Sequence, residues 1–463
     1  MTRAKEIDRA TSRLGPVTYS SVLKIWLPLG LTQFLVMAED PIYVAVLMRL
    51  QYPELELGAL FSYAWPILLL IGSAVFILNT VGNVFATNLK NVRRLERLAA
   101  GFGLSLTLVL VAIAFSPLST LIFRDVMAVP KSELDMSVAA LQIFSLYPAV
   151  KGLNQLYQGI LIRGGRTIEI LVSRCIRFAI GMVVLLVGLK TEWLAGAVLG
   201  ASAWVGALIV QTVYLFIRCQ PIIHHLRDHP IDEDVVGLRN LVRFTIPLSI
   251  TPILTGISAL VMSAAIGRLP GVIVSLAVWP VITNFSSIGT AIGASYNQVT
   301  VKLAETSADR SRLLKFALVL GFLLTAVNAL FIVSGLFFYA LRTMEKLDLE
   351  TARISLNAMW FLMPLPFIYT MNAYYSGLLA KAKKTMPILE SQMASLLIVT
   401  MVVLATVNLE PFRGVYVVSA VSVAANLVAC LWVWSAWRKY AACASRDELG
   451  KVDAAASIPV HSH

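Results

Sequence analysis

Twelve apolar runs, each long enough to cross a membrane as a helix, follow one another along a chain of 463 residues. They lie at roughly 21–47, 58–83, 98–122, 135–161, 169–189, 193–217, 240–267, 271–299, 313–340, 353–380, 386–407 and 413–437. A hydrocarbon core of about 30 Å needs about 20 residues of helix. Strand-like alternation is absent from the runs, and lipid tolerates only helices and closed barrels, so the runs predict an all-α polytopic membrane protein with twelve transmembrane helices. Composition agrees: 58% of residues are hydrophobic and 14% charged, against roughly 45–50% and about 25% in soluble domains.

The net charge of +12 has a membrane explanation, because the 38 Lys and Arg residues sort by loop. With the N-terminus inside, 26 of them fall on cytoplasmic segments, nine on the opposite side and three (Lys151, Arg174, Arg177) inside helices. The positive-inside rule then places both termini of a multi-pass membrane protein in the cytoplasm. Nucleic acid is not an expected partner; the bilayer is. The first apolar run is too long for a signal peptide and lacks a small-residue exit, so it reads as an uncleaved helix. No nucleotide-binding motif or nucleophile–base cluster appears, and the i, i+4 pair His225/His229 lies in the polar linker and is set aside as a metal site, so neither enzyme activity nor a cofactor or metal is expected.

The chain is also a duplication. VLKIWLPLGLTQFL from Val22 matches LVRFTIPLSITPIL from Leu241, aligning Pro28 with Pro247 and Thr32 with Thr251. Trp65-Pro66 matches Trp279-Pro280, and Asn83 falls on Asn297. In the fourth and tenth runs a shift of 218 positions sets Pro148, Asn154, Tyr157, Gly159, Arg163 and Arg166 on Pro366, Asn372, Tyr375, Gly377, Lys381 and Lys384. Six helices per repeat return the chain to its starting side, so the halves insert in parallel about an axis along the membrane normal. The expected organisation is an N-lobe (1–217), a cytoplasmic linker (218–239), a C-lobe (240–440) and a cytoplasmic tail (441–463). Two such lobes facing a midplane cleft are the architecture of a secondary transporter.

Polar residues inside the runs mark candidate sites, since a charge at mid-membrane costs at least about 2.5–3.5 kcal/mol. Glu39 and Asp40 precede Pro41, whose missing N–H frees the carbonyl of Met37 and predicts a kinked first helix. They read as an ion-coupling site for a proton or cation; the alternative is that the helix ends early and leaves both at the water interface. Lys151, Asn154, Gln155 and Gln158 form a polar stripe at helical spacing. Arg174 and Arg177 share a face of the next helix. Guanidinium forks and a lysine suit carboxylate or phosphate, so these three cations predict an anion site; the alternative for the arginines is snorkelling to the headgroups. Thr283 and Ser287 belong to a polar face of the eighth run that lines a cavity or packs between helices. Asn372 and Tyr375 mirror the fourth run in the tenth, but Tyr369 stands where Lys151 does, so the site is asymmetric.

IWLPLGLTQFL, FTIPLSITPIL, SLYPAVKGLNQLYQGILIRGGRT and PLPFIYTMNAYYSGLLAKAKKT resemble the progressive ankylosis (ANK) family, within the multidrug/oligosaccharidyl-lipid/polysaccharide (MOP) exporter superfamily. The resemblance covers roughly residues 20–440 and implies a V-shaped, two-lobe, MATE-like transporter, here a bacterial-type relative of the inner (cytoplasmic) membrane. Animal members are linked to export of pyrophosphate, nucleoside triphosphate and organic acids such as citrate, and they carry an acidic residue near the position of Asp40. Three functions are therefore expected in turn: export of small organic or phosphate-bearing anions by alternating access; proton- or cation-coupled multidrug antiport, motivated by Glu39 and Asp40; and flipping of a lipid-linked saccharide, with a cationic cavity holding a diphosphate. A membrane scaffold without a cavity is the non-transporter alternative.

Overall fold

The architecture is that of a computed structural model, which describes residues 17–47, 49, 56, 58–127, 129, 131–191, 195–228, 236–266, 272–343, 349–406 and 414–456; some helix side chains, that of Asp40 among them, are outside the description. The described residues form helices and turns, with no strand among them.

Segment 1 is one helix, Tyr19–Leu47, that continues through Pro41 for two further turns. The missing proline N–H therefore removes one bond without ending the helix. Segment 2 is broken: a π-helix (Gly58–Ala64), an α-helix (Trp65–Gly72), a 3-10 stretch (Ser73–Ile77) and a second α-helix (Leu78–Phe85). Segment 3 is Leu89–Ala114, capped by the Asn88 side chain accepting from the N–H of Asn91. Segment 4 is Lys131–Phe144 followed by Tyr147–Arg163; segments 5 and 6 are Thr167–Thr191 and Gly196–Asp228.

The second half repeats the plan. Segment 7 is Leu238–Ile266, segment 8 is Val272–Ala294 with a short helix Tyr296–Leu303 after it, and segment 9 is Ser307–Val333. Segment 10 is split like segment 4, into Leu349–Leu362 and Leu365–Lys381; segments 11 and 12 are Met386–Thr406 and Gly414–Ala456. The proline pairs explain the matching splits: Pro148 and Pro366 each sit in the first turn of the second piece, where a missing N–H is harmless.

Ten of the described helical stretches are long and apolar enough to span a membrane, and Met386–Val402 is a shorter apolar helix. Large apolar side chains such as Leu108, Val319, Phe322 and Leu330 are more than half exposed. A water-soluble chain would bury them; a surface facing lipid does not need to. The protein is a multi-pass membrane protein.

The buried side chains show how the halves meet. One core, around Tyr43, Leu68, Phe144 and Trp204, belongs to the first half alone. Another, around Ile282, Phe337, Met359 and Leu362, belongs to the second half alone. A smaller one, around Met262, Val399 and Val418, is also of the second half, and the largest is shared: Leu78, Phe85, Ile160 and Leu161 of the first half pack with Phe244, Tyr296, Val299 and Tyr374 of the second. All of these shared residues lie toward the end where segment 6 turns into segment 7. The halves are thus joined at this linker face and have separate cores at the opposite face, which makes a V.

Candidate functional site

A cavity of about 510 Å³ lies mainly within the first half. Segment 1 brings Gln33, Met37 and Glu39; segment 4 brings Lys151, Gln155 and Gln158; segment 5 brings Arg174 and Arg177. The breaks in segment 2 set Trp65, Phe76 and Asn79 on one wall, and Tyr147 and Trp204 extend the aromatic lining. Among the described residues of the second half, only the end of segment 8 and the start of its short helix reach it, through Ala291, Ala294, Ser295 and Gln298.

Glu39 is only 2% exposed. Arg174 donates to its Oε2 at 3.2 Å, and Arg177 Nε lies 3.1 Å from its Oε1. The second contact is one of charge rather than a hydrogen bond, because the Arg177 Nε–H is not aimed at that oxygen. Both arginines are buried. They do not snorkel to the headgroups, and Glu39 does not sit at a water interface. Like-charged neighbours three residues apart on one helix face repel; a carboxylate between them relieves that repulsion and shares one negative charge with two cations.

Lys151 is 5% exposed and has no carboxylate partner among the described residues. Its ammonium sits 5.5 Å from the centre of the Phe76 ring. A cation over an aromatic face gains roughly 0.5–2 kcal/mol, well short of the several kcal/mol that desolvating an ion costs. The cavity therefore holds three cations against the single described carboxylate, Glu39, and Lys151 is the cation this carboxylate leaves uncompensated.

The remaining predicted residues divide clearly. Gln158 lines the cavity and donates to Asn154 Oδ1 at 2.7 Å. Asn154 itself turns to segment 6, donating to Thr212 Oγ1 at 3.2 Å. It is completely buried and acts as a prop for Gln158. Thr283 donates to the Trp279 carbonyl of its own helix at 2.8 Å, and Ser287 to the Asn284 carbonyl at 2.6 Å; neither lines the cavity. Asn372 is half-buried and Tyr375 packs edge-on to Tyr374 at 5.0 Å, both outside the lining. The backbone of Asp40 continues the helix, and its side chain lies outside the described residues.

The aromatic wall is not legible in the sequence. Trp65, Phe76, Tyr147 and Trp204 look like core residues in sequence, and nothing but tertiary contact distinguishes them. Gly181 carries a second unseen constraint. A Cβ there would lie 1.7 Å from the Tyr43 hydroxyl, so the small residue lets segment 1 approach segment 5 closely enough for Glu39 to reach the arginines.

At the linker face a polar clasp joins the halves below the cavity. Asn83 Nδ2 donates to the backbone carbonyl of Gln298 at 3.0 Å and to its Oε1 at 3.2 Å, while Gln298 Nε2 donates to Thr80 Oγ1 at 3.1 Å. Lys302 donates to the Arg163 carbonyl at 2.7 Å, and Arg163 donates to the carbonyls of Asn83 and Val84 at 3.1 and 3.2 Å. Gln298 is both a cavity wall and part of the clasp.

Solved structures with this fold exist. The fold is that of the MATE transporters. A MATE protein in complex with MaL6 superposes with a TM-score of 0.70 at 15% identity, over 96% of this chain and 99% of the other. A multidrug resistance MATE family transporter of the MOP superfamily, in an outward-facing conformation, gives 0.66 at 14% identity over 95% and 98%. A MOP superfamily transporter from Pyrococcus furiosus, described as having a binding pocket of reverse polarity that suggests a different function, gives 0.66 at 14% identity over 94% and 98%. No protein-family model and no curated protein matches the chain.

Proposed function

We propose that this protein is a secondary active transporter that exports small organic or phosphate-bearing anions by alternating access of its two halves. The observation that carries the reading is the excess of buried positive charge: Lys151, Arg174 and Arg177 around one cavity with Glu39. An anion entering beside Lys151 supplies the missing countercharge, and its oxygens compete with Glu39 for the two guanidinium groups. Gln155 and Gln158 add neutral donors. Glu39 released in this way takes up a proton or faces a cation, which makes it the ion-coupling group; Asp40 is the second candidate for that role.

The fold supports transport, because the similar solved structures are transporters. The reverse pocket polarity of the Pyrococcus furiosus protein, described as suggesting a different function, supports the idea that this fold serves more than one function. The charge bias of the loops makes the linker face cytoplasmic, so the clasp describes a state closed to the cytoplasm. The sequence resemblance to the ANK family supports citrate- or pyrophosphate-like cargo. A MATE-type antiporter of cationic drugs is the second reading, favoured by the presence of Glu39 on segment 1. It meets the difficulty that a cation would enter a cavity whose one described carboxylate is already held by two arginines.

The deciding experiment is flux of citrate and of pyrophosphate in liposomes holding the purified protein, with and without a pH gradient. Anion flux that Lys151→Ala abolishes is the expected result. Gradient-driven movement of a cationic dye with no anion flux would overturn it in favour of the antiporter.

A further inference from the structure

A second cavity, of about 660 Å³, opens at the linker face of the second half, away from the charged cleft. The two halves of the chain give it an internal control. In the first half, the turn between segments 4 and 5 is held by Glu169. It accepts from Arg166 at 2.8 Å, from the Tyr214 hydroxyl at 2.7 Å and from Arg218 Nε at 2.8 Å. The shift of 218 positions that relates Arg163 to Lys381 also relates the first glycines of segments 6 and 12, Gly196 and Gly414. By that register Arg166 becomes Lys384, Glu169 becomes Pro387 and Arg218 becomes Ala436. Both members of the Glu169–Arg218 pair are thus replaced by small uncharged residues, and both replacements line the cavity.

The space left behind is cationic. Arg243, Lys383 and Lys384 line it, and no carboxylate does among the described residues. Glu390 lies one turn along segment 11, where the Trp432 indole donates to it at 3.4 Å; it is not part of the lining. Lys383 is held in the left-handed region, with φ 60, at the position where the first half has Gly165 with φ 73. A residue with a Cβ is disfavoured there, yet the turn keeps its bonds: Arg166 N donates to the Leu161 carbonyl at 2.9 Å, and Lys384 N to the Leu379 carbonyl at 2.8 Å. The lysine occupies a glycine position, and its ammonium lies 5.2 Å from the ring centre of Phe85, a residue of the first half.

The first turns of segments 7 and 11 also border the cavity, through Asn240 and through Met386 with Pro387. The Asn240 N–H is taken by the Gly237 carbonyl and Pro387 has none, so these turns offer an anion the positive end of a helix dipole rather than free donors. Apolar surface from Phe85 and Phe244 completes the wall. Cations, two helix N-termini and an apolar side together suit a phosphate group carried on an apolar body.

We propose that this cavity is a regulatory site for a phosphate-bearing ligand, whether an anionic phospholipid headgroup or a soluble phosphate. Because Phe85 belongs to the first half and Lys383 to the second, a ligand here bridges the halves at the clasped face and favours the clasped state. The proposal does not depend on which substrate the central cavity carries.

The test is hydrogen–deuterium exchange over residues 236–244 and 379–390 of the whole protein in nanodiscs. Phosphatidylcholine alone is compared with phosphatidylcholine containing phosphatidylglycerol, and with phosphatidylcholine plus inorganic phosphate. Slower exchange with phosphatidylglycerol identifies the lipid source, and slower exchange with inorganic phosphate the soluble one; either supports the site. Lys383→Gln with Lys384→Gln is expected to raise the concentration needed by at least about tenfold, at about 1 kcal/mol per surface cation. Pro387→Glu, which restores the carboxylate of the first half and keeps every cation, is expected to do the same. Lys151→Met should leave the effect intact. No protection by either probe, or protection that persists in both cavity variants, would overturn the proposal. So would protection seen only after Asp232, Glu233 and Asp234 of the linker are neutralised, since the chain itself would then be the occupant.

Discussion

The carboxylate of Glu39 on segment 1 lies between two guanidinium groups of segment 5, with Oε2 at 3.2 Å from Arg174 and Oε1 at 3.1 Å from Arg177. Glu39 is 135 or more positions from either arginine, and all three are buried. The triad ties the first helix to the fifth at the wall of the cavity.

Removing the central charge should therefore be costly. Glu39→Gln keeps the shape but leaves two buried cations facing each other, a loss of about 3–5 kcal/mol for breaking a buried pair. Its thermal melt in detergent should fall below that of the parent, and added citrate or pyrophosphate should recover part of the loss. A melt equal to the parent's would show that the arginines do not depend on Glu39.

Lys151 should behave in the opposite sense. With no described carboxylate against it, Lys151→Met exchanges a buried charge for a side chain of similar length, and the melting temperature should rise by the equivalent of about 1 kcal/mol or more. Anion affinity should fall in the same variant. Falling stability would mean that the ammonium has a partner that holds the fold together.

The close approach of segments 1 and 5 depends on Gly181. Gly181→Ala places a methyl 1.7 Å from the Tyr43 hydroxyl and 2.6 Å from its ring carbon Cζ, and overpacking of this kind costs about 1–3 kcal/mol. Combining it with Tyr43→Phe should restore only part of the stability, because the ring carbon still obstructs. Full recovery in the double variant would place the whole clash on the hydroxyl.

The clasp at the linker face should hold the halves together. Spin labels at Arg97 and Lys315, exposed and equivalent in the repeat, report the distance between them. Asn83→Leu removes the two bonds to Gln298 and should broaden the distribution toward longer distances. An unchanged distribution would make apolar packing, not the clasp, the element that closes this face.

Lys302, beyond the apolar stretch of segment 8, should make that closure depend on pH. Burial, and then the charges of Arg163 and Lys381, push its ammonium from 10.5 down to about 7. Opening the face to water returns it toward its ordinary value, so between these two limits opening takes up a proton and closing releases one. Raising the pH above about 7 should thus favour the closed state, with no further change below that value. The label distances should show this in the parent and lose it in Lys302→Met.

Much of this protein was legible in the amino-acid sequence. Length and apolarity determine the membrane runs, because lipid leaves a chain no other way to satisfy its backbone. The repeat follows from matched prolines, asparagines and basic residues at a nearly constant shift. Helical periodicity places Lys151, Gln155 and Gln158 on one stripe, and it places Arg174 with Arg177. What periodicity cannot give is the direction in which each stripe points. Asn154 is one position from Gln155, yet it turns to Thr212 on segment 6 while Gln155 faces the cavity. The pairing of Glu39 with the arginines, the aromatic wall behind Lys151, and the placing of Thr283, Ser287, Asn372 and Tyr375 outside the cavity were decided only when the helices packed. Rotation of a helix about its axis is set by its neighbours' side chains, through contacts between residues far apart in the chain.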